Sequence, residues 1–273
     1  MSARRAMARW WLRAVRSLND RCKAASVRLT QLTGQSRVPL HPKHLLGDVP
    51  GQHWYLDSIC DGTRVLDVGC GSGSQCVRIA RAGGIAWGLD HDHRQLVSAR
   101  ALAQGIAPDC IQFLRGDVEC ALPFVPASFD VVLMLDVIEH IYRRDRVLRE
   151  IRRLMTSDGI LLVSVPNRDT KWKQRLYAAG LFCYTDRDHK VEYTLPEIER
   201  ELGEAGFALT TDPVPVVYDT PWAGLIDLVG GLSPRLYRRL ILWKIDMAKR
   251  HPGESIGWRL VCRRVEALPG ENA

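Results

Sequence analysis

The stretch Arg64-Val65-Leu66-Asp67-Val68-Gly69-Cys70-Gly71-Ser72-Gly73 decides the fold. Its first half is a short apolar run rich in valine. Glycines then fall at alternate positions, and Gln75 to Arg81 is helical in character. A strand that runs into glycines and leaves as a helix reads as the first βα turn of an open parallel sheet, where ligands bind at the carboxyl ends of the strands. Glycine allows the sharp reversal and lets a ligand approach the main chain.

Downstream, strands and helices alternate. Ile85 to Asp90, Ile111 to Leu114, Phe129 to Leu135 and Ile160 to Val165 read as strands, with helices over Arg94 to Ala103 and Asp145 to Met155 and a turn at Asp158-Gly159. The apolar run of the strand at 129–135 points to burial on both faces. Such alternation argues for βαβ units with right-handed crossovers and helices on both faces of the sheet. After Pro166 the alternation stops. Residues 167–192 are mixed, with Trp172, Tyr177, Phe182 and Tyr184 interspersed. Leu195 to Ala205 reads as a helix before a strand near Phe207 to Thr211, two helices are expected within 214–256, and a strand over Trp258 to Cys262 closes the chain.

Upstream, residues 5–32 read as one amphipathic helix, with Met7, Trp11, Val15, Leu18, Cys22, Ala25, Leu29 and Leu32 on one stripe. Gly34 stops the pattern, and Pro39 and Pro42 mark a connector. The organisation expected is therefore a basic helix and connector over 1–50, a core over 51–213, a helical insertion or lid over 214–256, and a closing strand with a tail over 257–273.

The chain has 273 residues, 46% of them apolar and 25% charged, which is the profile of a globular protein. No apolar run is long enough to span a membrane. The net charge of +7 is unevenly placed. Arg4, Arg5, Arg9, Arg13, Arg16, Arg21, Lys23 and Arg28 are opposed in their segment by Asp20 alone, and Arg235, Arg238, Arg239, Lys244, Lys249 and Arg250 form a second cluster. Both read as solvated helix faces or as surfaces for an anionic membrane, a nucleic acid or an acidic substrate. The eight cysteines include no CxxC pair and suggest a reduced compartment. The N-terminal stretch lacks the pattern of a secretory signal, although it is Arg-rich and acid-poor as transit peptides are. A cytoplasmic location is expected.

The glycine spacing is GxGxG, led by Asp67. A dinucleotide site wants GxGxxG, and the place of its last glycine is taken here by Ser74. Asp90, at the end of the second strand, can accept hydrogen bonds from both hydroxyls of a ribose, and Asp117, after the third, can accept one from an adenine amino group. His41, His44 and His53 lack an acidic or cysteine partner nearby in sequence and read as a surface loop.

Taken together, VLDVGCGSG (65–73), GLD (88–90), GDV (116–118), FDVVLMLDVIEHI (129–141), DGILLVSVPN (158–167) and HKVEYTLPEIERELGEAGF (189–207) resemble the class I S-adenosylmethionine-dependent methyltransferases of the small-molecule type, and within them quinone-biosynthesis-like O-methyltransferases. The resemblance covers roughly residues 60–210. It implies a Rossmann-like, doubly wound α/β sheet of seven strands with the last antiparallel, and S-adenosylmethionine as cofactor. By position, Asp67, Gly69, Cys70, Gly71 and Gly73 would surround its methionine part, with Leu135 nearby. Asp90 would hold the ribose, with His91 beside it in the cofactor site, and Asp117 and Val118 would hold the adenine.

For the chemistry, His140 is the candidate general base, with Asp136 and Glu139 as neighbours able to orient it. Two readings stand beside that one. His140 could cap or pack the following helix, or Glu139 and His140 could bind a divalent ion, as in some quinone O-methyltransferases that this segment resembles. His189 and Tyr193 are either acceptor-pocket walls or helix-entry packing. The segment Asp136-Val137-Ile138-Glu139-His140 stands where methyltransferases of base or amide nitrogens carry Asn/Asp-Pro-Pro-Tyr, so a nucleic-acid partner is not expected. A small-molecule acceptor is expected instead, through a hydroxyl of a lipid-, quinone- or sugar-like compound. The insertion, with Tyr218, Trp222, Tyr237 and Trp243, would lie over it. The N-terminal helix would cover the site or lie peripherally on a membrane, with Trp10 and Trp11 at the interface. Other readings kept open are an RNA or protein methyltransferase and a non-catalytic binding protein. The sequence specifies no oligomeric state.

Overall fold

A computed structural model describes residues 3–46 and 48–265. The tail over 266–273 lies outside the described residues. The strands are β1 (Arg64–Val68), β2 (Ile85–Asp90), β3 (Ile111–Arg115), β4 (Phe129–Leu135), β5 (Met155–Pro166), β6 (Phe207–Leu209), β7 (Val214–Pro215) and β8 (Gly257–Arg264). The helices are α1 (Ala3–Leu32), α2 (Ser74–Arg81), α3 (His93–Leu102), α4 (Arg144–Leu154), α5 (Lys171–Ala178), α6 (Leu195–Glu204), α7 (Ala223–Leu232) and α8 (Pro234–Arg250). The chain divides into two compact units. One comprises 53–166, 186–214 and 258–273, and the other comprises 1–52, 167–185 and 215–257.

The first unit holds the sheet, in the order β3-β2-β1-β4-β5-β8-β6. β1 pairs in parallel with β2 and β4, β2 with β3, and β4 with β5, while β6 and β8 are antiparallel. The expected Rossmann-like α/β fold is therefore present. Side chains that alternate along a strand reach opposite faces. Leu66, Val132, Met134, Leu161 and Val163 share one core with Val147, Leu148 and Ile151 of α4 and Ile198 and Leu202 of α6. Val65, Val131, Leu133 and Leu162 share the other with Cys76, Val77 and Ile79 of α2 and Leu96 of α3. Burial on both faces explains why β4 is apolar almost throughout. Its one charged residue, Asp130, sits at the start, where Arg64 donates to both of its oxygens at 3.0 and 2.8 Å.

Two details differ from the sequence reading. The fifth strand begins at Met155, which is fully buried and pairs with Phe129, and the register then jumps to Val131 opposite Ile160. Asp158-Gly159 is thus an irregularity inside a strand, not the turn that precedes one. The mixed segment after Pro166 contains α5, capped by Thr170, whose side chain accepts from the Lys173 N–H.

In the second unit the expected stripe on α1 is buried only in part, at Val15 and Cys22. Leu12, Val15, Cys22, Ser26 and Thr30 are buried, whereas Met7, Trp11, Leu18 and Leu32 are exposed. The reason is the partner. α1 packs on α7, and a Cβ at Gly231 would stand 2.7 Å from Leu29 Cβ and 2.8 Å from the Ser26 carbonyl oxygen. At Gly224 an added Cβ would strike the main chain of Asn19, and the Gly224 N–H donates to the Asn19 side chain. Backbones this close favour small and polar residues such as Asn19 and Ser26 at the contact, which leaves part of the apolar stripe outside it.

Candidate active site

The glycines after β1 hold left-handed conformations, with φ of 67° at Gly69, 53° at Gly71 and 76° at Gly73. Packing accounts for the outer two. A Cβ at Gly69 would stand 2.7 Å from Val137, and one at Gly73 would stand 2.8 Å from both Ala99 and Phe113. Gly71 is different, because a Cβ there meets nothing within 4 Å. The loop therefore presents the Gly71 main chain to open space at the carboxyl end of β1. The Cys70 side chain turns the other way, into the core, which leaves its main chain alone on the loop side.

Asp90 anchors this loop. One of its oxygens accepts from the Gly71 N–H at 2.8 Å and the other from the Asp92 N–H at 2.8 Å. A carboxylate has about four acceptor positions, so each oxygen keeps capacity for a further donor. The His91 ring points to solvent, 3.7 Å from Asp90. Asp117 is exposed, with one oxygen taken by the Glu119 N–H at 2.9 Å, and Val118 and Leu135 are partly buried. The ends of β1, β2, β3 and β4 thus put Gly71, Asp90, Asp117 and Leu135 along one edge of the sheet.

Asp67 is buried beneath the loop, where the Cys76 thiol donates to it at 3.3 Å. Burial raises its pKa from 3.8 to about 7, with the Cys76 hydrogen bond opposing and the charge of Asp90 adding. A carboxyl whose folded pKa lies above its unfolded value destabilises the fold progressively as pH rises between the two values, and the penalty is constant above the higher one. Asp67→Asn is therefore expected to leave stability unchanged near pH 4 and to raise it at pH 8, by on the order of 3 kcal/mol. Urea unfolding without ligand at both pH values measures this. A variant that is less stable at pH 8 would mean that the carboxylate has a compensating partner.

Beyond β4 the chain turns sharply. Asp136 holds φ 56°, an uncommon conformation for a residue with a side chain. It is fixed there by Ser164, whose carbonyl accepts from the Asp136 N–H at 3.1 Å and whose hydroxyl donates to the Asp136 carboxylate at 2.8 Å. A 3-10 turn, Ile138–His140, follows. The Glu139 carbonyl accepts from the main-chain N–H groups of Lys190 at 2.7 Å and Val191 at 3.3 Å, which brings His189 to the turn. The rings of His140 and His189 meet edge to face, 4.7 Å between centroids. His189 Nδ1 lies 2.8 Å from Glu192, and its Nε2 lies 4.0 Å from Glu139.

Glu139 is buried, and one of its carboxylate oxygens has no hydrogen-bond partner. Burial first, then the charge of Asp136, push its pKa up to about 8. His140 is exposed at its surface, and partial burial followed by the charge of His189 lowers its pKa. Glu139, His140 and His189 each offer one ligand atom, all within 4.8 Å of one another. Tyr193 does not join them at the surface, since it is 1% exposed and packs in the core. Sequence reasoning missed the supports Ser164 and Glu192. Glu192, three residues after His189, was the visible sign of an oriented imidazole.

The chain is similar to known methyltransferases. A family model described as a methyltransferase domain matches residues 66–163. A ubiquinone biosynthesis O-methyltransferase of Maricaulis maris is 31% identical over 186 residues, which are 60% of this chain and 70% of that protein. A probable S-adenosylmethionine-dependent methyltransferase of Mycolicibacterium smegmatis is 31% identical over 189 residues, 64% of this chain and 65% of that one. Among solved structures, the [4+2]-cyclase SpnF has the same fold, with a TM-score of 0.56 at 21% identity over 79% of this chain and 81% of its own.

Proposed function

This chain belongs to the class I S-adenosylmethionine-dependent methyltransferases, and from that premise we propose that it methylates a hydroxyl of a small lipid-, quinone- or sugar-like acceptor, with His140 as the base. The observation that carries the reading is the placement of His140. It stands at the same sheet edge as Gly71 and Asp90, with its ring edge to face against His189 and its pKa lowered by partial burial and the charge of His189, which favours the neutral imidazole a base requires.

The residues present fit S-adenosylmethionine. The open space over Gly71 admits the methionine part against the main chain, and the unspent acceptor capacity of Asp90 suits two ribose hydroxyls. Asp117 has a second oxygen for an adenine amino group, and the Val118 main chain lies next to it. Asp67 supports the loop from below through Cys76. The bound cofactor supplies an electrophilic methyl carbon on a sulfonium. His140 would accept the acceptor's O–H proton, leaving its oxygen nucleophilic toward that methyl group. Alignment of these atoms supplies much of the rate. The O-methyltransferase name of the Maricaulis relative supports oxygen as the nucleophile.

A second reading has its own observation. The unpartnered Glu139 oxygen and the Nε2 of His189, whose Nδ1 is held by Glu192, are what a divalent ion would want alongside His140. The ion would then orient the acceptor oxygen.

Methyl-labelled S-adenosylmethionine incubated with host extract, with and without a chelator, tests both readings. Label in the lipid or small-molecule fraction, retained with chelator, supports the base. The same label lost with chelator and restored by a divalent salt supports the ion. Label in RNA or protein would overturn the acceptor class.

A further inference from the structure

Helix α7, Ala-Gly-Leu-Ile-Asp-Leu-Val-Gly-Gly-Leu, is apolar on every side. Its one charge, Asp227, is buried, where it accepts from the Tyr237 hydroxyl at 2.9 Å and lies 3.3 Å from His41. Gly224, Gly230 and Gly231 face inward, the first and last onto α1. What α7 turns to solvent is therefore Leu225 and Leu232, with Trp222 at its start and Ile226, Leu228 and Val229 partly covered. A surface helix of a globular protein ordinarily carries polar residues there.

The neighbouring helices continue the pattern. α1 exposes Trp10, 69% accessible, and Trp11, and α8 exposes Leu236 and Trp243. Exposed basic residues are carried by the same two helices. Arg13, Arg21, Lys23 and Arg28 on α1 and Arg235 and Arg239 on α8 are exposed. The acids on those helices are Asp20 and Asp246, and Asp246 pairs with Arg250 at 2.7 Å.

We infer that this unit docks on an anionic lipid surface, with α7 lying along the interface. Charge selects this occupant. A second copy would bring arginine clusters against arginine clusters, whereas acidic headgroups complement them. Indoles beside cationic side chains suit the headgroup boundary, where the ring is buried and its N–H stays wet. No helix of the described residues is long and apolar enough to cross a membrane, so the contact lies in the plane of the interface. The inference rests on this unit's own surface. Failure to bind lipid would leave the proposed methyl transfer standing.

The test is sedimentation of the full chain with vesicles of phosphatidylcholine alone and of equal parts phosphatidylcholine and phosphatidylglycerol. Binding to the mixed vesicles that weakens with salt is expected, with little to the neutral ones. The double variant Trp222→Glu/Leu225→Glu should lose at least about tenfold in affinity. Arg21→Gln/Arg28→Gln, which leaves the apolar face intact, should also lose about tenfold. Circular dichroism confirms that both variants fold. Equal binding to neutral vesicles, full binding by either folded variant, or no vesicle binding together with a dimer that Trp222→Glu/Leu225→Glu breaks would each overturn the inference.

Discussion

Replacing Asp90 by alanine is expected to weaken S-adenosylmethionine binding by about 100-fold or more and to remove methyl transfer at ordinary cofactor concentrations. The carboxylate acts twice. It accepts the Gly71 and Asp92 N–H groups, which sets the path of the glycine loop, and it keeps acceptor capacity on both oxygens for the ribose. A hydrogen bond to a charged group contributes roughly 1.5–3 kcal/mol, so two lost at once exceed the ~2.7 kcal/mol that corresponds to 100-fold. Asp90→Asn keeps the shape but offers one acceptor oxygen where the native residue offers two, and should fall between the wild type and alanine. Calorimetric titration measures all three. The sheet core does not depend on this side chain, so the circular dichroism of both variants should match that of the wild type. An alanine variant that binds within threefold of the wild type would remove Asp90 from the cofactor site.

The parallel sheet was legible because each strand carries its own signal. β1 and β4 are short apolar runs bounded by turn residues, and burial on both faces leaves little room for ambiguity in them. The glycine loop was legible as a turn, but the three glycines read alike in sequence. Only the packed structure separates Gly69 and Gly73, held small by neighbours, from Gly71, which faces open space. α1 misled for a related reason. Periodicity finds the most apolar stripe and assigns it to the interior, whereas close approach to α7 requires small and polar residues at the contact and leaves tryptophans outside. The link between Glu139 and His189 is carried by main-chain hydrogen bonds across fifty residues of sequence, and main-chain bonds leave no mark on residue type. The His140–His189–Glu192 arrangement therefore needed the fold to become visible.

That arrangement carries the second large effect. His140→Ala is expected to lower kcat by 10²–10⁴-fold, the usual span for loss of a positioned general base, while leaving the affinity for S-adenosylmethionine within about twofold, since the ring lies beyond β4 and not in the glycine loop. The split between kcat and cofactor affinity is the readout, because a histidine that merely packed the following helix would change stability and affect both constants mildly. Its neighbour separates the two chemical roles. If His140 is the base, His189→Ala loosens the ring it meets at 4.7 Å and costs less than His140→Ala. If Glu139, His140 and His189 hold an ion, then Glu139→Gln, His140→Ala and His189→Ala should each abolish activity to a similar degree, and calorimetry of the wild type with a divalent salt should show binding that each variant loses. His140→Ala with full kcat would remove it from both schemes, and the acceptor hydroxyl would then be deprotonated by another group or by solvent.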